Sequence, residues 1–153
     1  MITIGIDPGK GGGIAFIRDG GLAHAFKCPS TPEEAVKIIK QETKGFRKKR
    51  AIIEKVHSMP RDGVVSAFSF GRNYGEWLGI LAALRIPVAH VRPQEWQKFY
   101  GKLPKEKKSR KHKLKHLAFE LYPGAKNTLA TADAILIGHY FLNLSLVKVG
   151  VFK

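Results

Sequence analysis

The opening segment constrains the fold more than any other part of the chain. Ile2, Ile4 and Ile6 alternate with smaller residues, and the run stops at Asp7-Pro8-Gly9. A short strand is predicted there, with an acid at its carboxyl end. Ala51-Ile52-Ile53-Glu54 has the same form, an apolar run closed by a carboxylate, and reads as a buried central strand. Strands that flank a common crossover often lie side by side, so Asp7 and Glu54 are expected to converge at one edge of a sheet. Converging acids repel unless a cation lies between them, and hard divalent ions take such oxygen ligands. Each acid also has a plain reading. Asp7 could be a turn residue before Pro8-Gly9, whereas Glu54 would close a buried strand at a cost unless it finds a partner or an ion.

The rest of the chain supplies a frame for these two strands. Gly13–Arg18 and Leu22–Lys27 are strand candidates split by Asp19-Gly20-Gly21, a hairpin turn signal, so the first three strands are expected to form a meander. Thr31-Pro32-Glu33-Glu34 starts a helix that ends near Gly45. Ser58–Tyr74 reads as an irregular loop, and a helix over about Tyr74–Leu84 follows with Trp77, Leu78, Leu81 and Leu84 on one face. Ile86–Val91 is a strand, placed at an edge or started by Pro87, and Pro93–Tyr100 a short helix. Lys102–Lys115 holds eight Lys or Arg and one acid; it is expected to be a basic loop feeding an amphipathic helix through Leu114, Leu117, Ala118 and Leu121. A last helix over Thr128–Leu144 carries Asp133 in its first turns, where an acid also suits the positive end of the helix dipole. This order predicts an α/β fold in which helices flank a mixed sheet. With no repeat or linker in its 153 residues, the chain is expected to be one domain over 1–153.

Charge narrows the function. The formal net charge is +15, from 27 Lys and Arg against 12 Asp and Glu, yet 44% of residues are hydrophobic. A folded nucleic-acid binder fits both numbers, although a merely solubilising basic surface does as well. The one cysteine, Cys28, rules out an intrachain disulfide and a multi-cysteine zinc site. Ile2–Ile6 is too short for a signal peptide and Ala134–Leu142 too short for a bilayer span. A cytoplasmic or organelle-matrix protein with no membrane partner is expected.

Taken together, the motifs resemble a family. The stretch Gly5-Ile6-Asp7-Pro8-Gly9 looks like the first strand of RuvC-type Holliday junction resolvases, Ile52-Ile53-Glu54-Lys55-Val56 like their second acid-bearing strand, and Ala132-Asp133-Ala134-Ile135-Leu136-Ile137 like their C-terminal helix. The chain is most similar to the chloroplast- and phage-type branch. That likeness rests on Met59-Pro60-Arg61-Asp62-Gly63, on the aromatic and glycine-rich run from Phe68 to Leu81, and on Pro93-Gln94-Glu95-Trp96-Gln97-Lys98, Lys108-Ser109-Arg110 and Leu121-Tyr122-Pro123.

The resemblance implies an RNase H-like fold with a mixed five-stranded sheet. It also implies a homodimer that cuts opposed strands of a four-way DNA junction using Mg²⁺ or Mn²⁺, two ions per site. Asp7, Glu54 and Asp133 match the family's metal-binding acids. Lys108 matches a lysine near the scissile phosphate, where it would offset charge in the transition state, and a further lysine position falls on Lys98 or Gln97. The chain departs from the pattern at Leu129 and Ala130, one helical turn before the last acid, where the family has another acid or a histidine. Asn127, Thr128 or Thr131 could supply an oxygen instead, or the second ion could be held mainly by water and DNA.

The aromatic run and the basic segments complete the expectations. Phe68, Phe70 and Tyr74 are either core residues or platforms that stack on bases at a junction centre. The resemblance places sequence readout in the same segment, with Arg72 and Asn73 donating to base edges. Lys105, Lys107, Arg110 and Lys111, with the run Arg47–Arg50, would contact backbone phosphates, unless they are simply a solvated surface. His57, His112, His116 and His139 show no zinc spacing. Dimerisation is expected through Tyr74–Leu84. Two other readings stay open: a junction-binding protein with impaired catalysis, suggested by the missing ligand, and a ribonuclease H acting on RNA–DNA hybrids.

Overall fold

The computed structural model describes residues 1–55 and 63–148. Val56 of the second acid strand, His57, Ser58 and the Met59-Pro60-Arg61-Asp62 part of the motif lie outside the described residues. The elements are β1 (Ile2–Asp7), β2 (Gly13–Arg18), β3 (Ala23–Lys27), α1 (Pro32–Glu42), β4 (Lys49–Glu54), α2 (Val64–Ala83), β5 (Val88–Val91), α3 (Pro93–Phe99), α4 (Lys107–Leu121) and α5 (Ala132–Lys148). The strands form one sheet in the order β3-β2-β1-β4-β5. β1, β2 and β3 make the expected antiparallel meander, and β4 lies parallel to both β1 and β5. The sheet is therefore mixed and five-stranded, with β5 at an edge directly after Pro87.

Period-two alternation decides which side chain meets which layer. Ile2, Ile4, Ile6, Ile14, Phe16, Ala51 and Ile53 face α1 and α2, and pack there with Ala35, Ile39, Trp77 and Leu81. Ala15, Ile17 and Ile52 face the other way and pack with Trp96 of α3, Leu114 and Ala118 of α4, and the Ala132–Ile137 segment of α5. A sheet covered on both faces needs apolar residues at nearly every position of its central strands, as β1, β2 and β4 have. No helix among the described residues is long and apolar enough to cross a membrane.

Two expectations about local structure are corrected. The segment read as an irregular loop up to Tyr74 is helical from Val64 onward, so α2 has 20 residues. Its Gly71, Gly75 and Gly79 recur every fourth residue on an outward face with nothing within 4 Å of a would-be Cβ. These glycines weaken the helix intrinsically, while Trp77 and Leu81 on the opposite face bury it against the sheet. The basic loop is also shorter than expected. Glu106 accepts the amides of Lys108 and Ser109, and this cap starts α4 at Lys107.

Candidate active site

The register that pairs Ile6 with Ile53 brings Asp7 and Glu54 to the same carboxyl-end edge of two neighbouring parallel strands. Alternation then aims both carboxylates at one layer. Asp7 follows Gly5 on the face of β1 that meets α5, and Glu54 follows Ile52 on the face of β4 that packs with α3 and α5. Asp133 sits in the first turn of α5.

What places Asp133 beside them is a close backbone approach. A Cβ on Gly5 would collide with the carbonyl oxygen of Ala134 and lie 2.6 Å from the amide nitrogen of Gly138, so α5 rests directly on β1. The turn after Asp7 is equally tight. Gly9 adopts φ +106°, in the left-handed region that favours glycine, and a Cβ on Gly12 would strike the Asp7 carbonyl. The Cys28 thiol donates to that carbonyl at 3.2 Å, and the Gly9 amide donates to Asn73 Oδ1 of α2 at 2.8 Å.

The three carboxyls disturb one another. Burial holds Asp7 well above the usual carboxylate range, and the charges of Asp133 and Glu54 push it further; Lys111 opposes the shift. Burial also raises Glu54, to about 7, against the Trp96 indole, which favours the ionised form, while Asp133 adds to the rise. Asp133 is raised by burial, with Lys111 and Arg110 acting against it. Lys111 Nζ is 3.9 Å from Asp133 Oδ2. Buried acids with raised affinity for protons are the surroundings expected where a cation completes the charge balance. The donor set is all oxygen, which suits a hard divalent ion. Among the described residues, however, no three His, Cys, Asp or Glu side chains are grouped closely enough to enclose a metal ion. Water and substrate oxygens would have to supply much of the coordination.

The structure sorts the other expected residues. Phe68 is 70% exposed and Phe70 46%, so neither is a core residue, and the Phe70 ring lies 3.0 Å from the Cβ position of Gly9, over the turn that carries Asp7. Tyr74 differs, being half-buried with its hydroxyl 2.7 Å from His90 Nδ1, which leaves its ring against the core. Asn73 uses its carbonyl oxygen on Gly9, and Arg72 pairs with Glu76. Lys98, Lys105, Lys107 and Lys108 are exposed. Arg110 braces the loop before α4 by donating to the carbonyls of Pro104 and Lys105. Lys111, one turn beyond Lys108, is the lysine that pairs with Asp133.

At the departure from the family pattern, Leu129 and Ala130 lie before α5 begins, not on its first turn. The Thr128 and Thr131 hydroxyls are engaged there. Thr131 Oγ1 donates to the Lys126 carbonyl and accepts from the Thr128 amide. Thr128 Oγ1 accepts from the amides of Ala130 and Thr131, and Asn127 Nδ2 donates to the Lys115 carbonyl on α4. Trp96 is the site residue that the sequence reading missed. Its indole Nε1 donates to Glu54 Oε2 at 2.5 Å and its ring is wholly buried; the only sequence signal was its place in the Pro93–Lys98 motif.

The strand order and the helices packed on both faces of the sheet make a mixed five-stranded α/β fold of the RNase H-like kind, similar to that of RuvC. The solved structure of Thermus thermophilus RuvC in complex with a Holliday junction substrate matches with a TM-score of 0.65 at 16% identity, over 95% of this chain and 96% of that one. A second T. thermophilus RuvC structure matches with a TM-score of 0.59 at 17% identity, over 95% and 97%. At these identities the likeness is one of fold. No protein-family model and no curated protein matches the sequence.

Proposed function

We propose that the chain is a structure-selective endodeoxyribonuclease that resolves four-way DNA junctions, of the chloroplast- and phage-type RuvC branch, acting as a homodimer with Mg²⁺ or Mn²⁺. The observation that carries this reading is that Asp7 and Glu54 end neighbouring parallel strands while the charge of Asp133, on α5, reaches both, with the proton affinity of all three raised by burial. Asp7 and Glu54, joined by Asp133, would hold the metal. Such an ion, when bound, would supply activation of a water and charge stabilisation at the leaving oxygen of an in-line displacement at phosphorus. Lys111 places its ammonium beside Asp133, where it can offset charge on the scissile phosphate. The exposed Lys105, Lys107 and Lys108 add phosphate contacts outside the site, and Phe68 and Phe70 offer exposed rings on the helix that touches the Asp7 turn.

The dimer interface must differ in detail from the sequence expectation. Trp77 and Leu81 are buried within the chain's own core. The face of α2 left for a second copy holds Val64 and Val65, 86% and 80% exposed, with Gly71, Gly75 and Gly79 behind them. Two-fold symmetry would present two sites to opposed strands.

One observation favours a second reading, a junction-binding protein with impaired catalysis: the acids are not gathered as a ready three-ligand cage. Incubation with four-way junction, linear duplex and RNA–DNA hybrid, in Mg²⁺, Mn²⁺ or EDTA, decides. Metal-dependent cutting of the junction alone is expected. Tight junction binding without cutting in either metal would favour the second reading, and cutting of the hybrid alone would make the protein a ribonuclease H.

A further inference from the structure

We propose that Trp96 is a positioning residue for metal binding: its buried indole N–H holds Oε2 of Glu54 and so leaves Oε1 as the oxygen presented to a divalent ion. This inference rests on the metal-dependent reading above and deepens it.

Glu54 ends β4 and is only partly covered, so a glutamate there has several side-chain torsions to settle. The hydrogen bond from Trp96 Nε1, at 2.5 Å, removes that freedom. It is a charge-assisted bond from a neutral donor, and is strong when the acceptor is ionised. The donor cannot wander, because Trp96 has no exposed surface and is packed among Ile52, Val91 and Leu114 on the α3 side of the sheet, with the Tyr100 ring edge-on at 6.2 Å. Its helix is fixed in turn. Pro93 occupies the first turn of α3, and Glu95 reaches back to the Arg92 amide at 2.8 Å.

An indole is also suited to this place because it donates and never accepts. It can orient a carboxylate without competing for the ion. Partners that orient a metal-binding carboxylate commonly contribute about 10–100-fold to metal affinity or activity.

The test uses the full chain and Mg²⁺ alone, without DNA, read by calorimetry and by tryptophan emission in a Trp77→Phe background, where Trp96 is the remaining indole. Adding Mg²⁺ is expected to shift the emission, because charge drawn from Glu54 weakens the bond to Nε1. Glu54→Gln, which still offers an acceptor to Trp96, should abolish that shift. Trp96→Phe, which keeps a buried ring and removes the donor, should weaken Mg²⁺ binding about 10–100-fold while metal-free junction affinity stays within two-fold of the parent.

If the parent binds Mg²⁺ and Trp96→Phe binds it equally well, the positioning role is overturned and the metal reading stands. If the parent binds no Mg²⁺, both fall. If Trp96→Phe loses junction affinity and thermal stability in step with metal binding, Trp96 is only a core residue and the proposal fails. Trp96→Tyr guards against collapse of the packing, since a folded variant with a misplaced donor should show the same loss of Mg²⁺ affinity.

Discussion

The ammonium of Lys111 stands 3.9 Å from the carboxylate of Asp133, across the joint between α4 and α5. It is also felt at Asp7 and Glu54, both of whose carboxyls it pulls toward the ionised form. Lys108, one turn earlier, is exposed. Lys111→Ala is therefore expected to lower single-turnover cleavage of a junction at least ten-fold with little change in binding. Lys108→Ala should act mainly on binding. The reverse pattern in parallel cleavage and gel-shift titrations would return the catalytic lysine to position 108.

Replacing the acids should separate cutting from binding. Asp7→Asn, Glu54→Gln and Asp133→Asn are each expected to abolish metal-dependent cleavage while junction affinity changes less than a few-fold, because on the proposed reading the acids would hold ions and the basic surface would hold DNA. Cleavage at parental rates by any one of them would remove that residue from the site.

The raised carboxyls give the metal-free protein a pH signature. A group whose folded value lies above its unfolded one contributes stability that is fully present below the unfolded value and lost as pH rises through the folded value. For Glu54, with an ordinary value of 4.5 and a folded value of about 7, the loss over that window is roughly 3 kcal/mol. Asp7 and Asp133 act in the same direction. Melting in EDTA should thus occur at temperatures several degrees lower at pH 8 than at pH 5, and Mg²⁺ should restore the difference at pH 8. A melting temperature that is flat with pH in EDTA would show that the three carboxyls are not held in this state.

Phe68→Ala with Phe70→Ala tests the stacking surface. Because both rings are exposed, the double variant should melt close to the parent. It should lose junction affinity by about 1–3 kcal/mol for each unstacked base and leave linear duplex affinity nearly unchanged. Equal weakening on junction and duplex would show that the rings do not read the open centre. By contrast, alanine at Lys105, Lys107 or Lys108 should weaken every DNA form and flatten the salt dependence by about one unit of slope per lost phosphate contact.

How far the site could be read in the sequence depended on which interactions are local. Asp7 and Glu54 were legible because each closes an apolar run, and one register, Ile6 opposite Ile53, suffices to join them. The five strands and their mixed order followed from turn signals and from the crossover rule. Asp133 was placed through the resemblance and falls in the first turn of α5 as expected. The start of α2 was missed because Pro60, Gly63, Gly71 and the polar residues among them read as loop signals, whereas Gly71 lies on the outer face of a helix whose opposite face is anchored by Trp77 and Leu81. The Trp96–Glu54 and Asn73–Gly9 hydrogen bonds span 42 and 64 positions, and no pattern within either segment announces them.

The contact between Gly5 and α5 bears on how such a chain tolerates change. The joint that sets the separation of Asp7 from Asp133 is made of main-chain atoms, with Ala134 and Gly138 on one side and Gly5 on the other. Even a methyl at Gly5 must lever the helix away, at 1–3 kcal/mol or more in strain. The side chains elsewhere in the two cores can be exchanged for others of similar volume without touching that spacing. A saturation library selected for junction cleavage should accordingly leave a sparse set of immovable positions, glycines prominent among them, in a broadly permissive background. A joint made of backbone in this way leaves the side chains around it free to vary, and the chain shares its fold with a T. thermophilus RuvC at only 16% identity.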